Sequence, residues 1–122
     1  MIEAVLEVLA QDTEMGPYLK IGAGRLPQFP HISIDQEERS RPQDDSGIER
    51  VFLKTSVWVS VRHYFEADRI AGKLENMIIG LSSLGAGRLI FIERTERDAG
   101  PDAALGAWRV QLTFQALIET KK

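Results

Sequence analysis

The sequence predicts an α+β fold ordered α-β-β-α-β-β, with a four-stranded, mainly antiparallel sheet and two helices packed on one of its faces. Three observations carry this. Two long segments alternate apolar and polar residues with a period of two, at 50–62 and 107–119. One segment, 66–83, carries an apolar stripe at helical spacing. Short polar or Gly/Pro-rich stretches separate the remaining elements, and a strand that follows such a loop most simply returns antiparallel.

The first helix is read over 2–12. Ile2, Val5, Leu6 and Leu9 share a side, with Glu3, Glu7 and Gln11 elsewhere. Gly16-Pro17 ends that pattern, because proline cannot donate to the helical ladder. An irregular connector over 18–29 is punctuated by Gly22, Gly24 and Pro27. A strand follows from His31 to Glu38, with Ile32 and Ile34 on one face. Residues 39–49 are polar, contain Pro42 and Gly47, and read as a long exposed loop.

In the strand 50–62, Val51, Leu53, Thr55, Val57, Val59 and Val61 face one way. Phe52, Lys54, Ser56, Trp58, Ser60 and Arg62 face the other. In the helix 66–83, Ala67, Ile70, Ala71, Leu74, Met77, Ile78 and Leu81 form the stripe, and Gly85 is a candidate left-handed stop. A strand from Arg88 to about Arg97 leads into a turn-rich loop over 98–106. The last strand, 107–119, points Trp108, Val110, Leu112, Phe114, Ala116 and Ile118 one way, and Arg109, Gln111, Thr113, Gln115 and Glu119 the other. Two helices can cover only one face of four strands, so the second face is left for water or a partner.

The length of 122 residues suits one domain over 1–122, able to bury roughly two-thirds of its unfolded surface. The pentapeptide Gly-Ala-Gly-Arg-Leu occurs at 22–26 and at 85–89, each time between a helix and a strand pair. Either two α-β-β units were duplicated, dividing the chain into 1–63 and 64–122, or both copies are helix exits where glycine is favoured. A phosphate-binding loop would need the reverse order, strand before helix.

Composition excludes several functions. Without cysteine there is no disulfide, thiolate metal site or thiol chemistry. Fifteen basic residues against 18 acidic ones supply no broad field for a nucleic-acid backbone. No apolar run approaches the roughly 20 residues of a membrane span, and no basic region precedes the first apolar stretch as in a secretory signal. His31 and His63 lack a second ligand at metal spacing. Glu37-Glu38 and Asp44-Asp45 are paired acids of the kind that usually stay solvated. No catalytic, metal or cofactor-binding set emerges. Arg39, Arg41 and Arg50, interleaved with acids, suit surface ion pairs or a polar protein interface better than a phosphate track, as do Arg94 and Arg97. Phe52 and Trp58, aromatics framed by polar neighbours, are candidate interface anchors.

Taken together, the short first helix, the Gly/Pro connector into Pro30-His31-Ile32-Ser33-Ile34 and the long polar loop resemble a known family. So do the run Ser56-Val57-Trp58-Val59-Ser60-Val61 into Tyr64-Phe65-Glu66-Ala67-Asp68, and the closing Trp108-Arg109-Val110-Gln111-Leu112-Thr113-Phe114. The family is the tail-completion, or tail-terminator, proteins of long-tailed phages and related gene-transfer particles. The resemblance covers nearly the whole chain, through loose motifs. It implies a non-enzymatic subunit made in the bacterial host cytoplasm and placed in the tail or neck of a virion. It also implies a ring, typically hexameric, which caps the tail tube, joins the head connector and lets DNA pass. On this reading Phe52, Trp58, Arg39, Arg41, Asp44 and Asp45 are the interface candidates, with the loops 39–49 and 98–106. A head–tail connector subunit is the neighbouring alternative. A small-molecule-binding regulatory module is an alternative of a different class and requires an apolar pocket between helix and sheet. An enzyme with a histidine or carboxylate base ranks last.

Overall fold

A computed structural model describes residues 1–19, 29–40, 47–81 and 88–119. Helix α1 spans Ile2–Ala10 and helix α2 Tyr64–Ile79. The strands are β1 (His31–Ser40), β2 (Ile48–Ser60), β3 (Arg88–Asp102) and β4 (Ala107–Glu119). Short 3₁₀ turns cover Gly16–Leu19 and Val61–His63. The sheet order is β1-β2-β4-β3 and every neighbouring pair is antiparallel. The predicted α-β-β-α-β-β order is therefore the observed one, with the long alternating strands β2 and β4 at the centre.

Alternation fixes the layers. Thirteen register pairs join β2 to β4, and Leu53↔Phe114, Thr55↔Leu112 and Val57↔Val110 fall on one face. These residues are fully buried or nearly so. The α2 stripe of Ala67, Ile70, Ala71, Leu74 and Ile78 packs on them, and Val5, Leu9 and Met15 complete one continuous cluster. Each large aliphatic in that cluster contributes about 1.5–3 kcal/mol by leaving water. The space between helices and sheet is thus filled by side chains, and two depressions among the described residues lie elsewhere, on the other face.

Several boundaries differ from the sequence reading. The first helix ends at Ala10, where Asp12 accepts the backbone N–H groups of Glu14 and Met15 and turns the chain. Helix α2 starts two residues early at Tyr64. It stops at Gly80, which keeps right-handed helical angles, so Gly85 is not needed as the terminator. Strand β1 runs on to Ser40 and β2 begins at Ile48, so Arg39 and Glu49 are strand residues rather than loop residues, and Arg50 is in a strand as read. The largest difference is β3, which continues through Gly100-Pro101 to Asp102 and shrinks the expected loop 98–106 to a turn over 103–106. An edge strand is bonded on one side only, so a proline whose nitrogen faces outward costs it nothing. Gly106 closes the turn with φ +61°, and its carbonyl accepts the N–H of Val61 at 3.1 Å. The pentapeptide at 22–26, residues 85–87 of its second copy, and Arg41, Asp44 and Asp45 lie outside the described residues.

Candidate functional site

The face of the sheet opposite the helices is built by the polar half of the same alternation. Register pairs Ser33↔Ser56, Ser56↔Gln111 and Trp58↔Arg109 set these side chains across three adjacent strands. A bulge in β1 between Ile34 and Gln36 inserts Asp35, which joins that face. Its carboxylate is a hub. Ser33 donates to Oδ1 at 2.7 Å, and Oδ2 accepts from the Ser56 hydroxyl. Arg109 Nη2 and Gln111 Nε2 also donate to Oδ2, each at 3.3 Å. Arg109 further donates from Nε to Ser56 Oγ at 2.9 Å.

Trp58 belongs to this network. Its indole N–H donates to Ser33 Oγ at 3.0 Å, and the Arg109 guanidinium lies 4.9 Å from its ring centroid, a cation–π contact. The ring is half-buried among its own neighbours. Phe52 is also half-buried. It lies in a shallow open depression of about 250 Å³ to which all four strands contribute, beside Glu38, Lys54, Glu96 and Thr113. A second depression of about 310 Å³ follows Asp98–Asp102 along β3 and reaches Arg109 and Gln111. The mixed charge and open shape suit a polar surface that meets another surface.

The remaining sequence candidates are dispersed. Strand alternation sends Glu37 to the helix side and Glu38 to the opposite face, so adjacent acids in sequence are not adjacent in space. Arg39 lies on the helix-side rim, 3.2 Å from Glu49 and 3.5 Å from Glu37, and ties β1 to β2. Arg94 pairs with Glu75 and Arg97 with Asp68, fastening the edge strand to α2. His31 opens β1 opposite Trp58. His63 precedes α2 and meets Phe65 edge-on at 6.2 Å. Among the described residues, no group of three potential ligands is placed to hold a metal ion, and no helix is long and apolar enough to cross a membrane.

Charge also ties the turn after α1 to α2. Lys73 bridges Asp12 at 3.1 Å and Glu14 at 3.2 Å, and Arg69 reaches Glu14 at 2.7 Å and Glu66 at 2.8 Å. The Met15 backbone amide, then Lys73, holds Asp12 below its ordinary pKa, and Arg69, then Lys73, does the same for Glu14.

One surface group escaped the sequence reading. Val61, Tyr64 and Phe65 are 47%, 58% and 60% exposed, although all three are large and apolar. Tyr64 meets Phe65 edge-on at 6.2 Å and tilts against Trp108 at 5.8 Å. The available signal was position: both aromatics sit on the first turn of α2, outside its buried stripe.

No protein-family profile and no curated protein matches the sequence. Among solved structures, the chain is similar to one described as "Virion of native gene transfer agent (GTA) particle". The TM-score is 0.80 at 21% identity, covering 96% of this chain and 92% of that one. A likeness at that identity establishes a shared fold over nearly the full length of both chains.

Proposed function

We propose that this chain is a structural subunit of a phage or phage-like tail, which closes into a ring, ends the tail tube and joins it to the head connector. The observation that carries the reading is the end-to-end fold match to a chain of a gene-transfer-agent virion, with neither chain leaving a large part unmatched. The terminator role in particular rests on the sequence resemblance. Two features of the molecule support an assembling role. One face of the sheet is left without a covering layer, and exposed apolar side chains cluster at its margins. The depressions on that face are shallow and mixed in polarity, as befits protein contact more than capture of a small molecule. On this reading the partners are further copies of the chain, the tail-tube protein and the head-connector proteins. The subunit works by assembly, without cofactor, in the neck of the particle, and DNA passes through the ring.

The direct test uses growing tail tubes. Added to the tail-tube protein of the same particle during polymerisation, the protein should stop elongation and appear as a cap at one tube end in negative stain. Tubes of unchanged length with bare ends would remove the terminator role.

A further inference from the structure

The ionic bookkeeping of the surface is uneven. Arg39, Arg69, Arg88, Arg94, Arg97 and Arg109 each have a carboxylate partner within the chain. Arg50 is exposed without such a partner among the described residues, and so is Arg62. Arg62 adjoins Tyr64 and Phe65, so this corner of the molecule is apolar with an unneutralised cation beside it.

The complement of that corner lies on the same chain. On β3, Phe91 pairs with Leu117, Glu93 with Gln115 and Glu96 with Thr113, which places all three on the uncovered face. Phe91 is 38% exposed. Glu93 and Glu96 are exposed and make no ion pair among the described residues, although Lys54 lines the same depression as Glu96. This surface is apolar with unneutralised acids beside it.

The two surfaces do not meet, because Glu96, the acid nearest the corner, lies on the face of the sheet away from α2. The Asp68–Arg97 and Glu75–Arg94 pairs make β3 run back along α2, so Phe91 lies at the end of the domain opposite Tyr64. The sixteen residues of α2 alone span about 24 Å. One copy therefore cannot satisfy both surfaces internally, whereas two copies related head to tail can.

We propose that the Arg62–Tyr64–Phe65 corner of one copy docks on the Phe91–Glu93–Glu96 surface of the next. The inference rests on the ring-forming reading and deepens it by naming the contact. Two different patches meet, so the contact is heterologous. Such a contact closes a ring where its rotation allows and otherwise runs on as an open filament; the ring reading requires the first. Two aromatics and an arginine on one side are the residue types that dominate binding energy, and the opposed charges fix the register.

The test separates the two surfaces. Phe65→Asp disables the corner and leaves the β3 surface intact. Glu93→Lys with Glu96→Lys does the reverse. All three positions are exposed, so circular dichroism and melting should match the unsubstituted protein. Arg62→Ala serves as a second corner variant that removes the cation and keeps both aromatics. Each variant should weaken assembly by roughly 30-fold or more, the effect of losing an interface hot spot. Mixed one to one, Arg62→Ala and the β3 variant retain one intact contact and gain no new charge pair at the other. They should form discrete dimers in analytical ultracentrifugation, and no larger species. Variants that assemble like the unsubstituted protein, or a mixture that stays monomeric, would overturn this contact and leave the ring reading standing. An unsubstituted protein that stays monomeric at every concentration, alone and with tail-tube protein, would overturn both.

Discussion

Replacing Asp35 by alanine tests whether the uncovered face is ordered by its carboxylate hub. Four donors converge on Asp35, from Ser33, Ser56, Arg109 and Gln111. Their weights differ. Arg109 and Gln111 are each 3.3 Å away and half-exposed, so water replaces Asp35 for them at little cost. Ser56 is fully buried, and without Asp35 its hydroxyl loses its acceptor. An orphaned buried donor costs about 1–3 kcal/mol, so Asp35→Ala should cost about 2 kcal/mol in all. Unfolding 122 residues at about 2.1 cal/mol/K each gives an entropy near 0.26 kcal/mol/K, so the melting temperature should fall by about 8 °C. Asp35→Asn keeps one acceptor oxygen, enough for Ser56, and replaces the other oxygen and the charge by an amide NH2, for about half that drop. The sharper check is Ser56→Ala in the Asp35→Ala background. Removing the donor with its acceptor relieves the orphan, so the double variant should be about 1 kcal/mol more stable than the sum of the singles. Thermal melts by circular dichroism read all four proteins. An Asp35→Ala protein within about 1 °C of the unsubstituted one, or a strictly additive double variant, would refute the hub.

Three further outcomes follow from the packing and charge. Phe114 is fully buried on central strand β4, so Phe114→Ala should cost about 3–5 kcal/mol and lower the melting temperature by about 12–20 °C. Gly106 has φ +61° with open space where a Cβ would lie, so Gly106→Ala meets backbone strain alone and should cost about 1 kcal/mol; a clash-sized loss would contradict that geometry. Asp12 and Glu14 are held below their ordinary 3.8 and 4.5, so in the fold they stay ionised where the unfolded chain has begun to take up protons. Their stabilisation is complete above those ordinary values and disappears as pH falls through the lower, folded ones. Lys73→Met weakens that pairing, so its melting deficit should narrow as pH drops below about 4; a gap that is constant with pH would show that Lys73 acts through packing.

What was legible in the sequence is what burial writes into periodicity. Strands β2 and β4 lie at the centre with one face in the core, so their residues must alternate, and α2 covers them, so its stripe must recur at helical spacing. Edge strand β3 is under no such demand. Most of its side chains are exposed, and Gly100-Pro101, which would end a central strand, do not end this one. The site was legible in part. Alternation put Phe52 and Trp58 on the uncovered face, and they are there. It could not show that a bulge inserts Asp35, or that Trp58 is engaged by Ser33 and Arg109, because those links join residues 25 to 74 positions apart. It also left Arg39 in a loop, where the structure has it closing a strand against Glu49. The Tyr64–Phe65 corner was missed because a helix pattern reads its stripe and discards the residues beside it.

The claim that this fold works as a ring is tested most directly by its solution mass. Light scattering across a wide concentration range, with negative-stain images of the same fractions, should reveal closed rings of a single size. A strict monomer throughout, in the presence of tail-tube protein as well as alone, would contradict it.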